Sequence, residues 1–187
     1  MQVFVIRHTT PLIEKGLCYG QTNVPLAHTF IAEAKLIKEK LPNNIDAVYC
    51  SPLQRCQVLA KQLMCDDVRI DDRLIEYNFG DWENRLWSDI EPAEYELWMQ
   101  NFVQVPSPNG DCVQDLFNRV VSFLAHLRSQ NFQQVLLITH SGVIRAIWVY
   151  LLQLPLQNMF KIPVGFGELL VFSLGGDSSL DTIIQKG

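Results

Sequence analysis

The stretch Val3-Phe4-Val5-Ile6-Arg7-His8 near the N-terminus decides the fold. Its first four residues form a short, continuous apolar run, which is typical of a strand buried on both faces of a sheet. The pair Arg7-His8 ends the run, and Pro11 follows in a segment rich in turn residues. The sequence therefore predicts a central strand whose carboxyl end carries an arginine and a histidine.

Two other apolar runs lead into residues of the same kind. Residues 135–138 are followed by Thr139 and His140, and residues 45–49 lead into a segment that contains Arg55. In an open α/β sheet the ligand crevice lies outside the carboxyl ends of the strands, so these side chains are expected to converge. Arginines and histidines gathered at one edge of a sheet predict a phosphate-binding site.

Strand-like and helix-like segments alternate along the chain, which predicts an α/β fold. Ser51 and Pro52 are expected to be the N-cap and first residue of a helix that carries Arg55 in its first turn. The alternation predicts a three-layer α/β/α sandwich around a mostly parallel sheet. The expected strands are residues 3–6, 47–49, 68–70, 135–138 and 168–174, and other expected helices are residues 26–41, 111–128 and 143–154.

The length of 187 residues predicts a single domain over residues 1–187. The least regular region is residues 73–110, where we expect an excursion with short helices over the sheet. This region is rich in aromatic residues, which we expect mostly to pack the excursion, with some able to wall a ligand pocket. They are Tyr77, Phe79, Trp82, Trp87, Tyr95 and Trp98.

Composition and charge exclude several classes of protein. The hydrophobic fraction of 48% and charged fraction of 19% are those of a globular chain, and the net charge of -5 argues against a nucleic-acid partner. No uncharged apolar stretch reaches the ~20 residues of a membrane span, and the N-terminal run is wrongly flanked for a secretory signal. We therefore expect a cytoplasmic protein. Its five cysteines, without C-x-x-C spacing, are expected to be reduced and mostly buried: Cys18, Cys50, Cys56, Cys65 and Cys112.

Histidine beside arginine at a strand end suits phosphoryl transfer, because neutral imidazole is a nucleophile and guanidinium holds the charged oxygens. We expect His8 to be the nucleophile, Arg7 and Arg55 the clamp on the phosphoryl oxygens, and His140 a further donor. The leaving oxygen needs a proton, which a carboxylic acid can supply. Composition and spacing leave several candidates open for that acid: Asp71, Asp72, Glu76, Asp81 and Glu83.

Four motifs resemble those of the histidine phosphatase superfamily, the phosphoglycerate mutase-like group, whose pattern is R-H, S-P-L-x-R, E-x-x-F-G-x-W-E and T-H-x-G. The chain has R-H at residues 7–8, S-P-L-Q-R at 51–55, E-Y-N-F-G-D-W-E at 76–83 and T-H-S-G at 139–142. The resemblance implies a phosphoglycerate mutase-like fold. It also implies that His8 is phosphorylated, that Arg7, Arg55 and His140 bind the phosphoryl group, and that Glu76 is the acid and base. It implies no metal and no cofactor.

A narrower resemblance lies in residues 16–26, which read G-L-C-Y-G-Q-T-N-V-P-L after R-H-T. This stretch is most similar to the α-ribazole phosphatases of cobalamin nucleotide-loop assembly, whereas the mutase run E-S-x-W-N is absent. The resemblance implies hydrolysis of a small phosphate monoester, α-ribazole 5'-phosphate, to α-ribazole. Tyr19 and Gln21 in this loop are further candidates for substrate contact.

The chain departs from the superfamily pattern at three places. Asn23 stands where aspartate is commoner, which removes only a charge. Thr9 stands where glycine is usual, and we expect it to narrow the pocket wall. Residues 108–112 read P-N-G-D-C where the family has P-x-G-E-S, so we infer no polar contact from this loop.

Alternative functions are a general sugar-phosphate or phosphoglycerate phosphatase of the same superfamily, and a non-catalytic phospholigand-binding module on the same fold. A cysteine phosphatase needs a thiolate six residues before an arginine, whereas Cys50 precedes Arg55 by five. Haloacid dehalogenase-like phosphatases need a D-x-D pair at the end of the first strand, where this chain has Arg7 and His8. The chain also lacks a Walker motif. The sequence leaves the oligomeric state open.

Overall fold

The computed structural model describes residues 1–63 and 67–186, and a central sheet runs through them. Within these residues the sheet has six strands in the order β3-β2-β4-β1-β5-β6. The strands are β1 (Gln2–Arg7), β2 (Ala47–Cys50), β3 (Val68–Ile70), β4 (Gln134–Thr139), β5 (Leu169–Ser173) and β6 (Thr182–Lys186).

The middle of the sheet is parallel. β4 pairs in parallel with β1 on one side and with β2 on the other, and β2 pairs in parallel with β3. The register sets Arg7 beside Thr139 and Cys50 beside Ile138. The carboxyl ends of β1, β2 and β4 therefore meet at one edge of the sheet, and the residues that follow them are neighbours.

Helices cover both faces of the sheet. Val3 and Val5 of β1 point into a core formed with α4 and α5, while Phe4 and Ile6 point into a core formed with α1 and α2. This alternation explains why the strand is apolar throughout, because both of its faces are buried. The three-layer α/β/α sandwich is confirmed. The helices are α1 (Phe30–Glu39), α2 (Gln54–Gln62), α3 (Pro92–Asn101), α4 (Val113–Arg128) and α5 (Ser141–Leu152).

Among the helix starts that differ from the sequence prediction, two have a clear structural reason. α1 begins at Phe30, because Leu26 forms a β-bridge with Pro11 and the next residue bonds back to the loop after β1. α2 begins at Gln54, so the prediction of a start at residues 51–52 was wrong. The Ser51 hydroxyl is used elsewhere, as described below. Arg55 nevertheless lies in the first turn of α2, as predicted.

The sheet is not parallel at its other edge. β5 pairs antiparallel with β1, and β6, which the sequence analysis did not predict, pairs antiparallel with β5. An edge strand needs less apolar surface than a central one, so its pattern is weak. The excursion at residues 73–110 contains α3 and two short 3-10 helices, Gly80–Trp82 and Trp87–Asp89.

The remaining sequence predictions concern cysteines and membrane spans. Four of the five cysteines are buried free thiols, and Cys65 lies outside the described residues. Among the helices in the described ranges, none is long and apolar enough to cross a bilayer.

Candidate active site

His8 lies directly after β1 and is 1% exposed. Its Nδ1 lies 2.8 Å from the carbonyl oxygen of Thr9, and the Nε of Arg55 donates to its Nε2 over 3.2 Å. A carbonyl only accepts and a guanidinium only donates, so these contacts fit the tautomer with its proton on Nδ1. The lone pair that His8 can offer to a phosphoryl group is therefore on Nε2.

Arg55 is equally buried and is oriented by the loop that follows β1. Its Nη1 donates to the carbonyl oxygen of Thr22 over 2.8 Å, and its Nη2 donates to that of Gly20 over 2.6 Å. With the contact to His8, these bonds use three of the five N–H groups of the guanidinium. Two N–H groups remain for the oxygens of a bound phosphoryl group.

Glu83 holds that loop in place. Its carboxylate accepts hydrogen bonds from the backbone N–H groups of Gln21 at 2.7 Å and Thr22 at 2.6 Å. Burial by itself raises the pKa of Glu83, but the hydrogen bonds from Thr22 and Gln21 outweigh it and keep the pKa below the usual range. Glu83 was a candidate for the proton carrier, and the structure gives it a structural role.

Arg7, at the end of β1, is held by the loop that precedes β5. Its Nη1 donates to the carbonyl oxygen of Val164 over 2.6 Å, and its guanidinium carbon lies 3.6 Å from the centre of the Phe166 ring. A guanidinium over an aromatic face is held by a cation–π attraction. The sequence analysis missed Phe166, which lies far along the chain and carries no motif.

His140 follows β4 and occupies the N-cap position of α5. It is fully buried, its Nε2 lies 2.7 Å from the Ser51 hydroxyl, and its ring centre lies 5.2 Å from that of His8. Ser51 thus orients the second histidine of the site, which explains why its hydroxyl does not cap α2. The structure brings together His8, Arg55 and His140 from three different strand ends.

The electrostatics of the cluster favour an anion. Burial lowers the pKa of His8 to about 3, and the positive charges of Arg55 and Arg7 act in the same direction. Burial and the same arginines hold the pKa of His140 well below its usual range. In the described part of the chain, neither Arg7 nor Arg55 forms a salt bridge with a carboxylate. The site therefore combines neutral imidazoles with two arginines that form no salt bridge among the described residues.

Glu76 lies in the loop before the Gly80–Trp82 helix and reaches the N-terminus of α5. Its Oε1 accepts from the N–H of Tyr77 over 2.9 Å, and both of its oxygens lie 3.1 Å from the N–H of Gly142. The Ser141 hydroxyl donates to Oε2 over 3.2 Å. A helix N-terminus stabilises a carboxylate through its free N–H groups and its dipole.

A pocket of about 140 Å³ joins Glu76 to Arg7. Tyr19 lines this pocket, whereas the side-chain amide of Gln21 donates to the backbone carbonyl of Glu76 over 3.0 Å. The wall is formed by cationic, hydroxyl and aromatic side chains around one carboxylate. Its members are Arg7, Tyr19, Glu76, Tyr77, Phe79, Ser141, Gly142, Arg145, Met159 and Phe160.

Arg145 is a charged pocket residue that the sequence analysis missed. It lies one turn after Ser141 on α5, so the two share a helix face, and this spacing was the available signal. Its Nε donates to the carbonyl oxygen of Ile162 over 2.9 Å, which uses one of its five N–H groups. Burial lowers the pKa of Arg145, and the negative charge of Glu76 opposes that effect.

Most of the excursion's aromatic residues pack against one another. Trp82 is fully buried and Trp98 nearly so, with their ring centres 5.2 Å apart, while Tyr77 and Phe79 reach the pocket. Thr9 is fully buried and is not among the described residues that line this pocket.

The loop at residues 108–112 does make polar contacts, contrary to expectation. Asp111 accepts from the N–H of Asn78 over 3.1 Å and forms a salt bridge with Arg119. Asp111 stands where the family motif P-x-G-E-S has glutamate, and its side chain still supplies a carboxylate.

Comparison with known proteins agrees with this geometry. The family model described as "Histidine phosphatase superfamily (branch 1)" matches residues 3–180. The chain belongs to the histidine phosphatase superfamily. As a member of that superfamily with phosphatase relatives, it is a hydrolase that acts on a phosphate ester.

Several relatives in the histidine phosphatase superfamily are similar over most of the chain. The "Adenosylcobalamin/alpha-ribazole phosphatase" of Escherichia coli is 32% identical over 176 residues, which cover 89% of this chain and 87% of the relative. "Phosphoserine phosphatase 1" of Hydrogenobacter thermophilus is 27% identical over 78% of this chain and 73% of its own. The solved structure of the α-ribazole phosphatase from Shigella flexneri superposes with a TM-score of 0.88 at 29% identity, covering 98% of this chain and 95% of that one.

The pKa of His8 predicts a testable pH dependence. With a pKa of about 3, His8 should stay neutral from about pH 4 to pH 8, whereas an ordinary histidine titrates near 6.5. The imidazole nitrogen chemical shifts of His8, followed by NMR, should therefore stay constant over this range. A His8 signal that titrates near pH 6.5 would contradict the buried neutral imidazole.

The same pKa shift predicts how stability depends on pH. Below about pH 6.5 the unfolded chain binds a proton at His8, whereas the folded chain does not bind it until the pH nears 3. The free energy of unfolding should therefore fall as the pH falls towards 3.

Replacing Gly142 with alanine should displace the carboxylate of Glu76, the expected acid and base. A Cβ at this position would lie 2.2 Å from Oε1 of Glu76, so the carboxylate would have to move. Because small misplacements of a reacting group are costly, kcat should fall at least ~10-fold while the protein stays folded by circular dichroism. Gly176→Ala is the control, since a Cβ there meets nothing within 4 Å. Equal activity of the two variants would show that catalysis does not depend on the position of the Glu76 carboxylate.

Proposed function

We propose that this phosphatase hydrolyses a small phosphate monoester in two steps, with His8 as the covalent nucleophile. The observation that supports this most strongly is the proton-free Nε2 of His8, held among Arg55, Arg7 and His140 in a buried cationic site. A phosphate dianion compensates the buried positive charge of Arg7 and Arg55, neither of which forms a salt bridge with a carboxylate of the described residues.

In the first step Nε2 of His8 attacks phosphorus, and the bond between phosphorus and the leaving oxygen breaks. Glu76 gives its proton to that oxygen, so the alcohol leaves neutral. The N–H group of Arg55 that donates to Nε2 in the free protein then donates to a phosphoryl oxygen. The remaining N–H groups of both arginines donate to the phosphoryl oxygens as well. The product of the step is an N-phosphorylated His8.

In the second step a water molecule attacks phosphorus, and the bond to Nε2 of His8 breaks. The Glu76 carboxylate takes a proton from the attacking water, and inorganic phosphate leaves. Glu76 thereby regains the proton that it lost in the first step, and His8 returns to its neutral form. Every group of the cycle belongs to the chain, so no metal is required.

For the leaving group we propose α-ribazole, with the enzyme serving cobalamin nucleotide-loop assembly. The names and similarity of the Escherichia coli and Shigella flexneri relatives support this choice. The loop at residues 16–26 and the aromatic side chains of Tyr77 and Phe79 beside Glu76 also suit a planar benzimidazole.

A second candidate substrate is phosphoserine, and Arg145 favours it. A guanidinium in the leaving-group pocket suits a carboxylate, which phosphoserine has and α-ribazole lacks. The pocket volume of about 140 Å³ is also below the ~300 Å³ at which drug-sized ligand sites begin, so a larger leaving group would extend beyond it. The Hydrogenobacter relative carries a phosphoserine phosphatase name.

A trapped intermediate would test the covalent route. After rapid mixing with substrate and quenching in base, the wild-type protein should carry one phosphoryl group that is lost in acid, and His8→Ala should carry none. The variant should also lose nearly all turnover, because the nucleophile is gone. A folded His8→Ala protein with normal turnover would contradict the mechanism, and a wild-type protein that binds phosphate esters without turnover would be a binding module. Activity should persist in EDTA, whereas a loss restored by a divalent ion would exclude the metal-free route.

The leaving group can be identified by comparing kcat/KM across matched esters. We expect α-ribazole 5'-phosphate to exceed O-phosphoserine, sugar phosphates and phosphoglycerates by at least ~10-fold, the gain typical of a few fitted contacts. The carboxylate substrate would instead be favoured if kcat/KM were higher for O-phosphoserine than for O-phosphoethanolamine and if Arg145→Met removed this difference. Equal values across the panel would indicate a general phosphatase.

A further inference from the structure

Arg119 reaches from α4 to the main chain that carries Glu76. Its Nη1 donates to the carbonyl oxygen of Ile75, and its Nη2 donates to that of Glu76 over 3.0 Å. These two carbonyls flank the α-carbon of Glu76. The same Nη2 lies 3.1 Å from Oδ2 of Asp111, and the two side chains are 20% and 24% exposed. The guanidinium therefore holds the backbone on both sides of the proposed proton carrier.

Asp111 extends this grip along the chain. Its Oδ2 accepts from the N–H of Asn78 over 3.1 Å, and its own N–H donates to the Asn78 carbonyl over 2.8 Å. The Tyr77 hydroxyl donates to the Asp111 carbonyl. We call Arg119 and Asp111 together the brace. It binds residues 75–78 to α4 and to the loop before it.

The position of Glu76 needs such support, because residues 75–79 belong to neither a helix nor a strand. No ladder of backbone hydrogen bonds fixes this segment. At its other end the carboxylate meets α5 at Gly142 and Ser141, so its location depends on how the segment sits between α4 and α5. An acid must lie within hydrogen-bond reach of the leaving oxygen, and an error of 1 Å can cost ~10²-fold.

We propose that Arg119, paired with Asp111, is a positioning residue that sets the Glu76 carboxyl for proton transfer to the leaving oxygen. The inference rests on the role of Glu76 in the proposed function. Arg119 acts through Glu76 and is not among the residues that line the pocket beside it. It should therefore affect substrates according to how much their leaving groups need a proton.

The experiment compares two substrates in the wild-type protein and in Arg119→Gln. The alkoxide of glycerol 2-phosphate needs a proton in order to leave, whereas the nitrophenolate of p-nitrophenyl phosphate does not. Because kcat/KM in this two-step scheme reports phosphoryl transfer to His8, it isolates the step in which Glu76 is the acid. Arg119→Gln should lower kcat/KM about 10- to 100-fold for glycerol 2-phosphate and less than about 3-fold for p-nitrophenyl phosphate.

Arg128→Gln is the matched control. Arg128 also belongs to α4, donates to the carbonyl of Gly175 and pairs with Asp181 at 2.7 Å, but it lies at the other end of the helix. It should leave the ratio of the two kcat/KM values unchanged. If Arg119→Gln fails to fold, Arg119→Lys keeps a donor and a charge and should show a smaller loss of the same kind.

Four outcomes would overturn the brace. Equal losses on both substrates, no loss on either, or the same selective loss in Arg128→Gln would each exclude a positioning role for Arg119. The double variant Glu76→Gln/Arg119→Gln should be no slower on glycerol 2-phosphate than Glu76→Gln alone, because Arg119 acts through Glu76. Losses that multiply would also contradict it.

Glu76→Gln by itself separates the two proposals. If it shows no selective loss on glycerol 2-phosphate, the assignment of the acid in the proposed function is wrong. If it shows that loss while Arg119→Gln does not, only the brace is wrong.

Discussion

The parallel pairing of β1 with β4 is the constraint on which the site depends. Its register places Arg7 beside Thr139, so His8 and His140 follow as neighbours although more than a hundred residues separate them. Both strands are buried on both faces, and a shift of one residue would turn every side chain to the opposite face, into a core that is packed around its neighbours. The burial that fixes the register also fixes the distance between the two histidines. Catalytic geometry is thus a by-product of core packing.

Burial also decides the chemistry of the cluster. Two arginines are fixed by backbone carbonyls and an aromatic ring, without carboxylate partners in the described part of the chain. Their positive charge and the loss of solvent keep the imidazoles of His8 and His140 neutral, which preserves the lone pair that a nucleophile needs. Buried charge without a salt-bridge partner costs stability, as functional sites commonly do. An anionic substrate relieves this cost when it binds.

The sequence predicted the central strands and the groups at their ends, since a buried strand has a plain apolar pattern and the charged residues that follow it are conspicuous. It missed β6, which lies at the edge and has a weak pattern, and it placed the start of α2 too early. Ser51 has the chemistry of an N-cap but bonds to His140 instead, so a tertiary contact replaced a local one. Arg145 and Arg119 carry no motif, because their importance depends on what they face.

By itself, the sequence determined the α/β fold and predicted the phosphate-binding groups, because both follow from short-range patterns of apolar and charged residues. Among the acidic candidates, the residues alone chose none, and the choice of Glu76 came from the family resemblance. Only the tertiary structure decided that Glu83 binds the loop around Arg55 and that Glu76 lies against the N-terminus of α5. The reason is physical: the role of a carboxylate is set by the donors around it, and these donors come from segments distant in sequence.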